Sequence, residues 1–204
     1  MFASNAVLLV VDVQQGFDEP RWGRRNNPDM EARIVDLLSA WRATGRLTIH
    51  AKHCSTDPSS PLRPGQSGND FKPAVTPRIS ELVIEKRVHS CFIGTSLEAD
   101  LRQAGCDGVV IVGLTTNHCV STTARMAADF GFPTWVVADA TATFDRVGPD
   151  GVTYPAEQIH AIALSDLHRE FATIIDTRTA IAAVEVTREP ISRRGVVRVH
   201  TVGT

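Results

Sequence analysis

The chain has 204 residues, 43% of them apolar and 22% charged, with a formal net charge of −2. That length suffices for one domain with a full core, and the charge leaves no electrostatic footprint for nucleic acid or an anionic membrane. No apolar run approaches the roughly 18 residues of a bilayer-spanning helix, and residues 1–5 lack the basic and apolar segments of a secretory signal.

The apolar run from Ala6, closed by Asp12, reads as a strand covered on both faces. Asn27, Pro28 and Gly45 fit the cap, first position and stop of a helix whose Ile34, Leu37, Leu38 and Trp41 share one face. Leu47 to Lys52 is a second strand. His53 to Pro77 holds five of the eleven prolines and reads as a long lid or binding loop. Leu82 to Lys86 is the third strand, and Thr95-Ser-Leu-Glu98 has the form of a capping box for a helix stopping at Gly105. Gly108 to Val112 is the fourth strand, Cys119 to Phe130 a helix ended by Gly131, and Thr134 to Ala138 the fifth strand. Pro155 to Phe171 is a helix and Thr173 to Asp176 the sixth strand. This alternation predicts parallel βαβ units and an α/β fold, a three-layer α/β/α sandwich on a six-stranded parallel sheet. One domain spans 1–204, with its core at about 5–178. From about Ala180 to Thr204 the patterning weakens, and the basic stretch Arg188 to Arg194 reads as a tail or an arm.

The chemistry concentrates at strand ends, where open parallel sheets bind ligands. Asp12 closes the first strand, Lys86 closes the third, and Cys119 follows the fourth. A cysteine at a helix start is expected to favour the thiolate, the nucleophilic form. Each residue also fits a plainer role: Asp12 a turn cap, Lys86 a surface lysine, Cys119 a buried packing residue. Cys54, Cys91, Cys106 and Cys119 form no CxxC pair. They read as reduced thiols of a cytoplasmic protein, with Cys91 and Cys106 as packing residues.

The segments Val10-Val-Asp-Val-Gln-Gln-Gly-Phe17, Glu85-Lys-Arg-Val-His-Ser-Cys-Phe-Ile-Gly-Thr95, Gly113-Leu-Thr-Thr-Asn-His-Cys-Val-Ser-Thr-Thr-Ala-Arg125, Val137-Ala-Asp-Ala140 and Glu157-Gln-Ile-His160 occur in a fixed order. That ordered set resembles the isochorismatase-like cysteine hydrolases, which include nicotinamidases and N-carbamoylsarcosine amidase, over about residues 5–178. The resemblance implies sheet order 3-2-1-4-5-6 and a triad of Asp12, Lys86 and Cys119. It also implies a cis peptide joining Leu114 to Thr115, with the N–H groups of Thr115 and Cys119 forming an oxyanion hole. Asp12 would accept the thiol proton, Lys86 would add positive charge, and the sulfur would attack a carbonyl carbon. Since relatives form dimers or tetramers, a homo-oligomer acting on a small-molecule substrate is expected.

Nicotinamidases in this family carry a metal near an Asp-x-His pattern after the second strand. Here the matching stretch offers His50 and His53, which point to opposite sides of a strand, so neither metal nor other cofactor is expected. Phe17, Trp22, His89, Phe92 and Asn117 are candidate substrate contacts, and His118 is expected to point away from the nucleophile. The first reading is metal-independent hydrolysis of an amide, carbamoyl or ureido C–N bond through a Cys119 acyl-enzyme. The alternatives are vinyl-ether hydrolysis of the isochorismatase type and a non-enzymatic thiol redox or interaction protein.

Overall fold

Strand β1 (Ala6–Val11) is buried along its whole length, and its side chains divide by parity between two cores. Leu8 and Val10 join Ile34, Leu37, Leu38 and Trp41 on one side. Val7, Leu9 and Val11 join Leu97, Leu101, Ala124 and Leu167 on the other. Successive residues of a strand face opposite ways, so an apolar set on both faces demands a layer on each side. The structure, a computed structural model, describes residues 5–186; the stretch Arg188 to Arg194 lies outside the described residues.

In chain order the further strands are β2 (Thr48–His53), β3 (Leu82–Lys86), β4 (Gly108–Leu114), β5 (Thr134–Ala142), β6 (Arg146–Val147), β7 (Thr153–Tyr154) and β8 (Thr173–Ile175). The helices are α1 (Met30–Ala43), α2 (Leu97–Gln103), α3 (Ser121–Asp129), α4 (Ala156–Leu167) and α5 (Thr177–Val186). Six strands form a sheet in the order β3-β2-β1-β4-β5-β8, every neighbouring pair parallel. With the small antiparallel β6–β7 hairpin set aside, this is the expected sandwich and strand order. α1 and α5 cover one face, and α2, α3 and α4 cover the other.

Local details depart from the sequence reading where long-range contacts intervene. Asn27 does not cap α1. It sits at φ 44° and its side-chain amide donates to the Ala138 and Thr141 carbonyls across the molecule. Glu98 of the expected capping box instead pairs with Arg102 one turn on. The ordered core runs past 178: α5 buries Ala180 and Val184 against α1 and β5, and Asp139 caps its first turn by accepting from the Thr177 N–H and hydroxyl. At Gly113, φ is 111° and the β4–β5 register shifts. A Cβ there would overlap the Val11 carbonyl oxygen, so this bulge next to the site requires glycine.

Candidate active site

β1 and β4 are neighbours, and the chain runs from β1 to β2 on one side and from β4 to β5 on the other, in opposite directions along the sheet. Loops diverge at such a switch point and open a crevice outside the carboxyl ends of the strands. Asp12 stands there, fully buried, in the left-handed region at φ 53°. Lys86 ends β3, two strands away. Its long stem bridges that gap over the end of β2, and its ammonium donates to Asp12 Oδ2 at 2.7 Å, with both side chains shielded from solvent. The ammonium also lies 3.2 Å from the Val88 carbonyl oxygen and 3.3 Å from His53 Nδ1.

His53, the last residue of β2, is the centre's fourth member, and the sequence suggested it only as a poor metal ligand. A lysine ammonium can only donate, so His53 Nδ1 accepts and the ring proton resides on Nε2. Burial, then the Lys86 charge, lowers the His53 pKa and keeps the ring neutral. Its backbone is gripped at both ends by Gln14: the His53 N–H donates to Gln14 Oε1, and Gln14 Nε2 donates to the His53 carbonyl. Asn69 Nδ2 donates to the same carbonyl and to that of Leu62, stitching the long loop down. Gln14 stands in the Val-Asp-Val-Gln run, and its burial beside a strand end was the available signal.

Cys119 is buried, 7% exposed. It lies inside a wide turn of π-helix, Thr116–Val120, rather than at the first position of an α-helix. Thr116 Oγ1 meets His160 Nδ1 at 2.9 Å, and Asn117 Oδ1 accepts from the Thr143 hydroxyl at 2.6 Å, so the start of the turn is tied to α4 and to the segment after β5. The Leu114–Thr115 peptide preceding the turn is cis. A carboxylate oxygen of Asp12, a ring nitrogen of His53 and the Cys119 sulfur lie within 4.8 Å of one another. Asp12 Oδ1 is buried with no hydrogen-bond partner.

Electrostatics reverse the expectation of a resting thiolate. Burial raises the Cys119 pKa, the Asp12 carboxylate raises it further, and Lys86 only partly counters them. The thiol therefore stays protonated at neutral pH. Burial alone would lower the Lys86 pKa, but Asp12 and Cys119 outweigh it and the net shift is upward. The resting centre is thus a charged carboxylate–ammonium pair beside a neutral thiol and a neutral imidazole.

These residues do not fit a dedicated metal centre. His50 faces away from His53, fully buried against Glu81 at 3.1 Å. An Asp-x-His pattern ending on His53 would need an aspartate where Ala51 stands, and Ala51 is fully buried. The ammonium of Lys86 already lies among Asp12, His53 and Cys119, where a cation would sit.

A cavity of about 490 Å³ opens onto this centre. Phe17, Trp22 and His89 line it, as does Thr115. Phe92 and Asn117 do not line it: Phe92 packs on Phe130 and Phe132 in the core, and Asn117 is bonded to Thr143 on the far flank of the turn. His118 also lines it, its ring in edge contact with His89. Phe144, just after β5, and Arg146, which opens β6, complete the rim from a stretch whose sequence gave no warning of a site.

The isochorismatase domain model matches residues 6–179. YrdC of Bacillus subtilis strain 168, described as an uncharacterized isochorismatase family protein, is 45% identical over 170 residues, covering 83% of this chain and 91% of its own length. Nicotinamidase 3 of Arabidopsis thaliana is 35% identical over 184 residues, covering 84% of each chain. The crystal structure of a protein from Chromobacterium violaceum, assigned as a hydrolase of the isochorismatase family, superposes with a TM-score of 0.88 at 40% identity, over 91% of this chain and 96% of that one. The domain model spans most of the chain and these relatives match it over most of their length, and the chain belongs to the isochorismatase family of hydrolases.

Proposed function

We propose that the protein is a cysteine amidohydrolase that cleaves a C–N bond of a small amide, carbamoyl or ureido compound through a Cys119 acyl-enzyme, with no metal in the chemical step. The observation that carries this reading is the buried Asp12 carboxylate. One oxygen is held by Lys86 and the other has no N–H or O–H donor, with the Cys119 sulfur close by. The donor left for that oxygen is the neutral Cys119 thiol, whose hydrogen bond to Asp12 contributes to its raised pKa. A carboxylate oxygen kept for a thiol proton suits a general base.

The thiol is neutral at rest, so proton loss accompanies attack. Asp12 takes the Cys119 proton as the sulfur bonds to the substrate carbonyl carbon, and the carbonyl electron pair moves onto oxygen. The backbone N–H groups of Thr115 and Cys119, both residues lining the cavity, are the proposed donors to that oxyanion. Collapse of the adduct breaks the C–N bond, and the nitrogen leaves with the proton held by Asp12. Water then attacks the thioester, Asp12 again accepts a proton, and the acid product departs as the thiol is restored. Lys86 holds the carboxylate in place and offsets its charge while the proton moves. Nicotinamidase 3, among the similar proteins, bears the name of an amide hydrolase, which supports C–N cleavage over the vinyl-ether alternative.

The test is ammonia release from a panel of small amides, with intact-mass detection of an acyl adduct. Cys119→Ala is expected to lose at least about a thousandfold in turnover and all adduct. Turnover that survives Cys119→Ala would sink this reading in favour of ether hydrolysis, and selective Cys119 alkylation with no turnover would favour a thiol sensor.

A further inference from the structure

The cavity's charges are unevenly satisfied. Its two rim carboxylates are already engaged. Asp145 accepts from Arg24 and from the Ala156 N–H, while Asp57 accepts from the Ser59 N–H and hydroxyl. Asp12 is paired with Lys86. The Arg146 guanidinium on the same rim has neither a hydrogen bond nor an ion pair among the described residues, although its charge is felt by His118. The facing wall is aromatic. Phe17 and Phe144 lie nearly parallel at 6.0 Å between centroids, and Trp22 closes against them at 5.1 and 5.8 Å. Phe144 is two residues before Arg146, so one segment supplies both a flat apolar surface and a free guanidinium.

Building on the amide-hydrolase reading, we propose that the substrate is a planar, aromatic or conjugated amide bearing a carboxylate, and that Arg146 receives that carboxylate at the cavity rim. A flat acyl group stacks on the Phe17–Trp22–Phe144 wall. Its carboxylate meets the guanidinium, whose forked donors match two oxygens, while the amide carbon reaches Cys119. A cationic substituent would face Arg146, and Asp145 is already paired with Arg24, which leaves it Asp57, bonded only to the neutral Ser59. Specificity is thus set partly by which rim charges are left open.

The experiment compares the three isomeric carbamoylbenzoates with benzamide and with N-methyl-3-carbamoylpyridinium. Ammonia release gives kcat/KM, and a second arm measures how far each compound protects Cys119 from iodoacetamide, which needs no turnover. At least one carbamoylbenzoate is expected to exceed benzamide by about tenfold or more, the worth of one charge-assisted contact. Arg146→Gln should shrink that ratio to within about threefold, and Arg146→Lys should restore part of it. Ammonia from benzamide or the pyridinium with no carboxylate preference, or a preference unchanged in Arg146→Gln, overturns the anion site while amide hydrolysis stands. Carboxylate protection of Cys119 that depends on Arg146, with no ammonia from any amide, keeps the anion site and sinks the hydrolysis reading. Absence of both signals overturns the anion site.

Discussion

Two lysines of this chain are buried, and they are wired differently. Lys72, 7% exposed, is held by Asp18 and, at 2.7 Å, by Glu31, which is itself paired to Arg25. Lys86, 1% exposed, has one carboxylate, one neutral ring nitrogen and one backbone carbonyl. The first cluster joins α1 to the loop segments and leaves its charges answered. The second leaves Asp12 Oδ1 open beside a sulfur. A saturated ion cluster fixes structure, whereas an unsaturated one holds a proton acceptor ready. The same residue types build both clusters, and the carboxylate oxygen left facing a thiol tells them apart.

The largest way to break the comparison is at the open lone pair. Asp12→Asn is expected to cut turnover by about a hundredfold to ten-thousandfold, the usual range for a lost general base. Its thiol should move the other way. The carboxylate raises the Cys119 pKa and Lys86 lowers it, so removing the carboxylate leaves the ammonium to act alone, and the thiolate absorbance should appear at lower pH than in the parent. A Cys119 titration that stays put would remove Asp12 as its neighbour. Lys86→Met should lower turnover by at least about tenfold and stability by about 3–5 kcal/mol, because Asp12 is left charged and buried alone. Combining it with Asp12→Asn should recover most of that stability in urea melts and none of the activity. Lys72→Met should cost about 1–3 kcal/mol of stability, with turnover per folded molecule unchanged.

The smallest effect is the acid limb of stability. Burial pushes the Glu31 carboxyl up, but Arg25 and Lys72 outweigh it and hold it at about 2 against an ordinary 4.5. Burial likewise opposes Arg42 at Glu81, which also ends at about 2. Carboxyls depressed on folding contribute stability that is present above pH 4.5 and is lost as pH falls toward 2. Glu31→Gln should flatten that slope in thermal melts between these values; an unchanged slope would show that the Lys72 cluster does not titrate with folding.

What the sequence disclosed was whatever local pattern decides. The run from Ala6 had to be a doubly covered strand, and its burial bears this out; the run at Gly108–Val112, read as a strand, is one and is buried throughout. Strand ends carrying Asp12 and Lys86 pointed to one sheet edge, where the structure brings both together with Cys119. What stayed hidden depends on tertiary reach. Asn27 looked like a cap because its residue type suits one, but its amide is claimed by carbonyls more than a hundred residues away. Phe92 and Asn117 are near Lys86 and Cys119 in sequence and yet do not line the cavity. His53, Phe144 and Arg146 enter it from segments that only the folded chain places there. The state of Cys119 was misread for the same reason, since a helix start argues for a thiolate only where burial and a neighbouring carboxylate do not argue harder.

β3 is an outer strand, hydrogen-bonded to the sheet on one side only, and its final residue supplies the ammonium. Gentle warming or dilute denaturant that peels this border strand would withdraw the cation while the interior stays packed. Such an enzyme should fall silent before it melts, and deuterium uptake at the Glu85 and Lys86 amides should keep pace with that early loss.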